Sequence, residues 1–170
     1  MLVQFCVVLF ILDCAYGNNL IITNFTQCDK PMQDVQMTCK MKNGEQYCSG
    51  VYKSPVENGE NFRAELTVDV LRGKTWRNFL RKKEEKGLCY LMETLMREPF
   101  YQILENVDLP KKCPIPKGTA ELLRSIKFRI DGIEMLSVLP KTKIRLKIKS
   151  YEKSSGKLGV CVTLVVEIRN

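Results

Sequence analysis

Lys143-Ile144-Arg145-Leu146-Lys147-Ile148-Lys149 alternates charged and aliphatic side chains without a break, the two-residue period of a strand with one buried face. The same pattern recurs on both sides of it. Toward the C-terminus, Leu158, Val160, Val162, Leu164, Val166 and Ile168 share one face, and Cys161, Thr163, Val165, Glu167 and Arg169 share the other. That run is β-branched enough for a strand covered on most of both sides. Between the two strands, Lys153-Ser154-Ser155-Gly156-Lys157 reads as a hairpin connection. Toward the N-terminus, Ile126, Phe128 and Ile130 alternate with Lys127, Arg129 and Asp131, after a turn built on Cys113-Pro114-Ile115-Pro116-Lys117-Gly118-Thr119. The last third of the chain, 112–170, is therefore three strands, and the rest must supply the opposing wall.

Strand signals continue upstream. Phe62, Ala64, Leu66, Val68 and Val70 alternate with Arg63, Glu65, Thr67 and Asp69. Arg72-Gly73 turns the chain, and Lys74–Arg81, holding the single tryptophan Trp76 with Phe79 and Leu80, is the expected antiparallel partner. Leu20–Gln27 is an expected first strand. Between Cys39 and Cys48 lies Asn43-Gly44, the strongest short hairpin signal, because both turn positions take positive φ. With those two as the loop, Lys42 pairs with Glu45 and, counting outward, Cys39 with Cys48. The cysteines then fall at a non-hydrogen-bonded position, where opposing side chains lie closest, so a Cys39–Cys48 bridge follows. Leu88, Leu91, Met92, Leu95 and Met96 fall at helical spacing on one face. Pro99 cannot continue that helix but can start another turn through Phe100, Ile103 and Leu104.

Leu2–Leu12 is an apolar run broken only by Gln4, followed by Ala15-Tyr16-Gly17. It is too short to span a bilayer, which takes about 20 residues, and reads as a signal peptide over 1–17, although its start lacks Lys and Arg. The expected mature chain, 18–170, has the size of a single domain and is destined for the secretory pathway, extracellular or lysosomal. It carries 27 basic against 18 acidic side chains, a charge of +9 once Asp13 is removed. A basic exported protein meets acidic glycans, anionic headgroups or sialylated surfaces before nucleic acid. Cys6 and Cys14 leave with the leader, and Cys28, Cys39, Cys48, Cys89, Cys113 and Cys161 remain. Six cysteines in an exported chain without histidine imply three disulfides rather than a zinc site, with connectivity otherwise open. Asn24-Phe25-Thr26 is an N-glycosylation acceptor.

Catalysis finds little support. The absence of histidine removes the commonest general base and the usual partner of Ser and Cys nucleophiles. No GxSxG, Walker A or GxGxxG pattern occurs, and Asp131 with Glu134 reads as a solvated turn. The expectation is a protein that is not an enzyme and needs no cofactor or metal. The basic row Lys141, Lys143, Arg145, Lys147 and Lys149 lacks the interleaved aromatics of a nucleic-acid platform. It is either a solvated outer sheet face or a docking surface for acidic lipid headgroups. Periodicity leaves a second pair of alternatives open as well: inward aliphatic residues look the same in a packed core and around a cavity.

The order Cys113-Pro114 to Gly118-Thr119, a strand ending near Leu139-Pro140, a basic-apolar strand, then Ser154-Ser155-Gly156-Lys157-Leu158 followed by Cys161, is similar to the C-terminal part of the ML lipid-recognition superfamily. The similarity covers roughly the last 58 residues, 113–170. The chain resembles the ganglioside-activator branch, from which it differs in having six rather than eight mature cysteines, and the small secreted arthropod members of chemosensory type. The resemblance implies a mainly β fold, an immunoglobulin-like two-sheet antiparallel sandwich or cup with one or two short helices. It further implies the bridges Cys28–Cys161 and Cys89–Cys113. It also implies an apolar lipid cavity between the sheets, lined by Phe62, Leu66, Val68, Phe128, Ile130, Leu146 and Ile148, with Met92, Leu95, Met96 and Phe100 as a deformable lip. The function implied is a secreted lipid-binding or lipid-transfer protein holding an acyl chain. The alternative is a chemosensory, pheromone-response or signalling cofactor acting on a receptor through its surface.

Overall fold

The structure is a computed structural model that describes residues 19–127 and 142–169. The expected signal segment, Phe128, Ile130 and Lys141 lie outside the described residues. The strands are β1 (Asn19–Gln27), β2 (Asp34–Lys42), β3 (Glu45–Ser54), β4 (Phe62–Arg72), β5 (Thr75–Glu84), β6 (Gly118–Lys127), β7 (Lys143–Glu152) and β8 (Leu158–Arg169). One helix, α1 (Leu88–Asn106), lies between β5 and β6. A five-stranded sheet runs β1-β8-β7-β4-β5 and a three-stranded sheet runs β2-β3-β6, with every pairing antiparallel. The fold is thus the mainly β, two-sheet antiparallel architecture expected from the alternating segments.

The β2–β3 hairpin closes on Asn43 and Gly44 at φ 52° and 78°, as a two-residue turn matched to strand twist demands. Its register places Lys42 opposite Glu45 and Cys39 opposite Cys48, whose Cα atoms are 4.1 Å apart. The other bridges are Cys28–Cys161, tying the end of β1 to β8, and Cys89–Cys113, tying the start of α1 to the segment before β6.

The alternation of β4 and β7 resolves into faces as their pattern requires. Leu66, Val68, Val70, Ile144 and Ile148 turn inward and are buried, joined by Val160, Val162 and Val166 from β8. Leu91 of α1 is fully buried in the same cluster. Phe62 is seated by a missing side chain: a Cβ at Gly159 would stand 2.7 Å from its ring and 2.6 Å from Ser150 Oγ. That oxygen accepts the Val160 amide at 2.7 Å, so the polar atom in this tight packing is satisfied.

One segment is longer than its sequence signal indicates, and the helix is interrupted next to Pro99, with a second helical stretch through Phe100, Ile103 and Leu104, as the sequence pattern predicts. β6 begins at Gly118, directly after the Cys113-Pro114 turn, well before the Ile126 alternation. The helix continues beyond Met96 to Asn106, but Arg97 inside it has φ 32° and ψ −95°. Pro99, two residues later, has no amide hydrogen to donate to the carbonyl four residues back, so the ladder cannot run through unbroken. α1 is therefore two half-helices at an angle rather than one rod.

Candidate functional site

The bent helix does not close onto the three-stranded sheet. Between them lies a cavity of about 270 Å³. One wall is the β2–β3 hairpin, through Val35, Met37, Val51 and Tyr52. The opposite wall comes from Ile148, Val160 and Val162 of the larger sheet. The roof is α1, with Leu88 and Met92 from before the bend and Phe100, Ile103 and Leu104 from after it. Val107, Leu109, Ile115 and Ala120 add to the lining, as do the polar Gln36, Ser49 and Asn58, and it includes no charged residue among the described residues.

Polarity is confined to a few positions, above all Tyr52 and Asn58. The Tyr52 hydroxyl donates to Gln33 Oε1 at 3.2 Å, and Asn58 Nδ2 donates to the same oxygen at 3.2 Å. Gln33 and Asn58 are almost fully buried, at 0% and 1% exposure, and Gln33 Nε2 and Asn58 Oδ1 have no partner among the described residues. Burial pushes the Tyr52 hydroxyl above its ordinary pKa, against smaller opposing contributions from Ser54 and Asn58, so the phenol stays neutral at physiological pH. Backbone bonds hold Asn58 in place: its N–H donates to Ile115 O at 2.9 Å and its carbonyl accepts from Ile115 N at 3.2 Å.

The residues expected to form the site divide. Met92, Phe100 and Ile148 stand in the cavity wall. Phe62, Leu66 and Val68 are buried but do not border the cavity: Leu66 and Val68 sit in the core cluster of the large sheet, and Gly159 lies against the Phe62 ring. Leu95 and Leu146 pack against that cluster, and Met96 packs with Cys89, Phe100 and Leu104 without lining the cavity. The β2–β3 wall and the Gln33–Tyr52–Asn58 cluster were not anticipated. Val35 and Met37 alternating with Asp34, Gln36 and Thr38 carried the signal for the wall. Nothing local signals the polar cluster, whose members come together only by folding.

The basic row on β7 is not uniformly free. The buried Asp69 carboxylate accepts from Arg145 Nε at 3.0 Å and Nη2 at 2.8 Å, from Lys147 Nζ at 3.0 Å, and from Asn78 Nδ2 at 3.3 Å. Burial would raise its pKa, but the bonds from Lys147, Arg145 and Asn78 outweigh that and hold it below the ordinary carboxylate value. Arg145 also stacks over Trp76, 4.6 Å from the ring centroid. Among the described members of the row, Lys143 and Lys149 are exposed.

No family model matches this chain, and no curated protein does. Among solved structures it is similar to chicken MD-1 complexed with lipid IVa, at 12% identity over 89% of this chain and 96% of that chain, with a TM-score of 0.36. Its function has to be read from its own residues.

Proposed function

We propose that the protein is a secreted carrier that takes up an elongated apolar ligand, such as an acyl chain, in the cavity between the β2–β3 hairpin and α1. The observation that carries this reading is the lining itself: a 270 Å³ space bordered mainly by aliphatic, methionine and aromatic side chains and by no charged residue among those described. Taking a methylene as about the volume of a water, ~30 Å³, the space holds roughly nine of them. Burying these contributes about 7 kcal/mol at ~0.8 kcal/mol each, before the cost of ordering the ligand.

Met92 and Met37 suit a wall that must adapt to different chains, and the bend at Arg97 lets each half of the roof pack separately. Exposed Lys143 and Lys149 would meet acidic headgroups while Arg145 and Lys147 stay committed to Asp69. Native mass spectrometry of protein purified from a eukaryotic secretory host, without detergent, tests the reading. A bound species of lipid mass, lost on organic extraction, is the expected result, and a spectrum of bare protein that also fails to take up added fatty acyl lipid would refute it.

A further inference from the structure

We propose that the outer face of the large sheet, across β7, β4 and β5, binds a sulfated glycan chain. This surface is separate from the cavity, and nothing in its use depends on the carrier reading. Its members follow from the strand register. Arg63 lies opposite Tyr151, with its guanidinium 5.6 Å from the ring centroid. The rows beyond are Lys149–Glu65–Lys83 and Lys147–Thr67–Arg81, then Arg145–Asp69–Asn78. These side chains alternate with the buried ones of the same strands and so point away from the cavity.

Two carboxylates of the face are already taken, Glu65 by Lys83 at 3.3 Å and Asp69 by Arg145 and Lys147 together. Two cations on one carboxylate leave a positive charge there. Lys143, Lys149, Arg63 and Arg81 are exposed and have no ion pair among the described residues. A third carboxylate, Glu167, lies opposite Lys143 at one end. Lysines commonly guard the unpaired edge of a sheet. β7 and β4 are interior strands of this one, so edge protection does not account for Arg63, Lys143 or Lys149.

From Lys143 to Lys149 is about 20 Å along β7, and from β7 to β5 about 10 Å across, an area suited to several charges of a linear polyanion rather than to one small anion. Sulfates stay ionised throughout the physiological pH range, and Arg63 and Arg81 can take their oxygens in the bidentate manner that guanidinium uses for phosphate. Headgroups would touch Lys143 and Lys149, but a bilayer lying along the whole face would have the large sheet between it and the cavity wall of Ile148, Val160 and Val162. A glycan chain bound there leaves the cavity clear and would hold an exported protein at cell surfaces or matrix.

The affinity of the secreted protein for a fluorescent heparin decasaccharide, at about 0.15 M salt, tests the proposal. Unsulfated heparosan of the same length should bind at least about tenfold more weakly. Arg63→Ala, Arg81→Ala and Lys149→Ala combined should weaken heparin binding at least about tenfold in protein that keeps its wild-type circular dichroism. Lys40→Ala, Lys42→Ala and Lys53→Ala combined remove the same charge from exposed positions on the small sheet and should leave binding within about twofold. Equal losses in the two triple variants would mean that net charge alone attracts the chain, and equal binding of heparosan that sulfate is not recognised; either overturns the proposal. So does binding to vesicles containing phosphatidylserine with none to heparin, which would make the face a membrane contact. Exclusion of an apolar fluorophore by heparin would put the chain at the cavity instead, again against the proposal. None of these outcomes decides the carrier reading, which rests on native mass spectrometry.

Discussion

The inner faces of β4 and of the β2–β3 hairpin carry similar alternations of apolar side chains and meet different fates. On β4, Phe62, Leu66, Val68 and Val70 are all below 5% exposed, and Leu91 and Leu95 of the first half-helix pack with Leu66, Val68 and Val70. On the hairpin, Val35, Met37 and Val51 are only half-buried and border free space. The first half-helix settles on the large sheet, and the bend at Arg97 sends the second half along the rim of the cavity. Alternation thus decides which side chains turn inward. How close the opposing element comes decides whether they touch protein or leave room for something else.

Truncations on the two faces should differ accordingly. Phe62→Ala removes a fully buried ring seated against Gly159 and should cost about 4 kcal/mol of unfolding free energy, measured by urea denaturation. Next in size is Asp69→Asn on the outer face of the large sheet, which strips Arg145 and Lys147 of their shared carboxylate and should cost about 2 kcal/mol at neutral pH. The Asp69 pKa is lower in the folded protein than in the unfolded chain. Its contribution is therefore present above about pH 4 and lost as the pH falls through the depressed folded value. Wild type and Asp69→Asn should converge in stability on acidification and not on alkalisation. Convergence at high pH instead would contradict the ion cluster.

On the hollow side, Val51→Ala already borders free space and should cost about 1 kcal/mol or less, while weakening uptake of an apolar fluorophore. If it destabilises as much as Phe62→Ala, the hairpin is part of the packed core. The smallest effect belongs to the far edge, where Asn24 is exposed beside a bulge in β1. We expect Asn24→Gln to abolish a glycosidase-sensitive mass shift in secreted protein and to change stability by no more than about 0.5 kcal/mol.

Much of the packed half was legible. The period-two runs of β4, β7 and β8 identified their inward residues, and Asn43-Gly44 set the register that brings Cys39 to Cys48. The hollow half was legible only in outline. Periodicity alone leaves Met92, Phe100 and Ile148, which border the cavity, indistinguishable from Phe62, Leu66 and Val68, which do not. Their difference lies in Gly159 and in the approach of α1, which are features of tertiary distance. Gln33, Tyr52 and Asn58 were invisible for the same reason: each is an ordinary polar residue until the fold buries them together. The pairing of Asp69 with Arg145, 76 residues apart, likewise depends on the β4–β7 register.

The claim that one half is packed and the other holds a ligand is tested most directly by a crystal structure of the protein with bromodecane, read from the anomalous signal of bromine. The expected result is an ordered bromine peak inside the space bordered by Met37, Met92 and Ile148, with the Phe62–Gly159 packing undisturbed. A hairpin and helix packed directly against each other, with bromine absent or only on the outer surface, would contradict it.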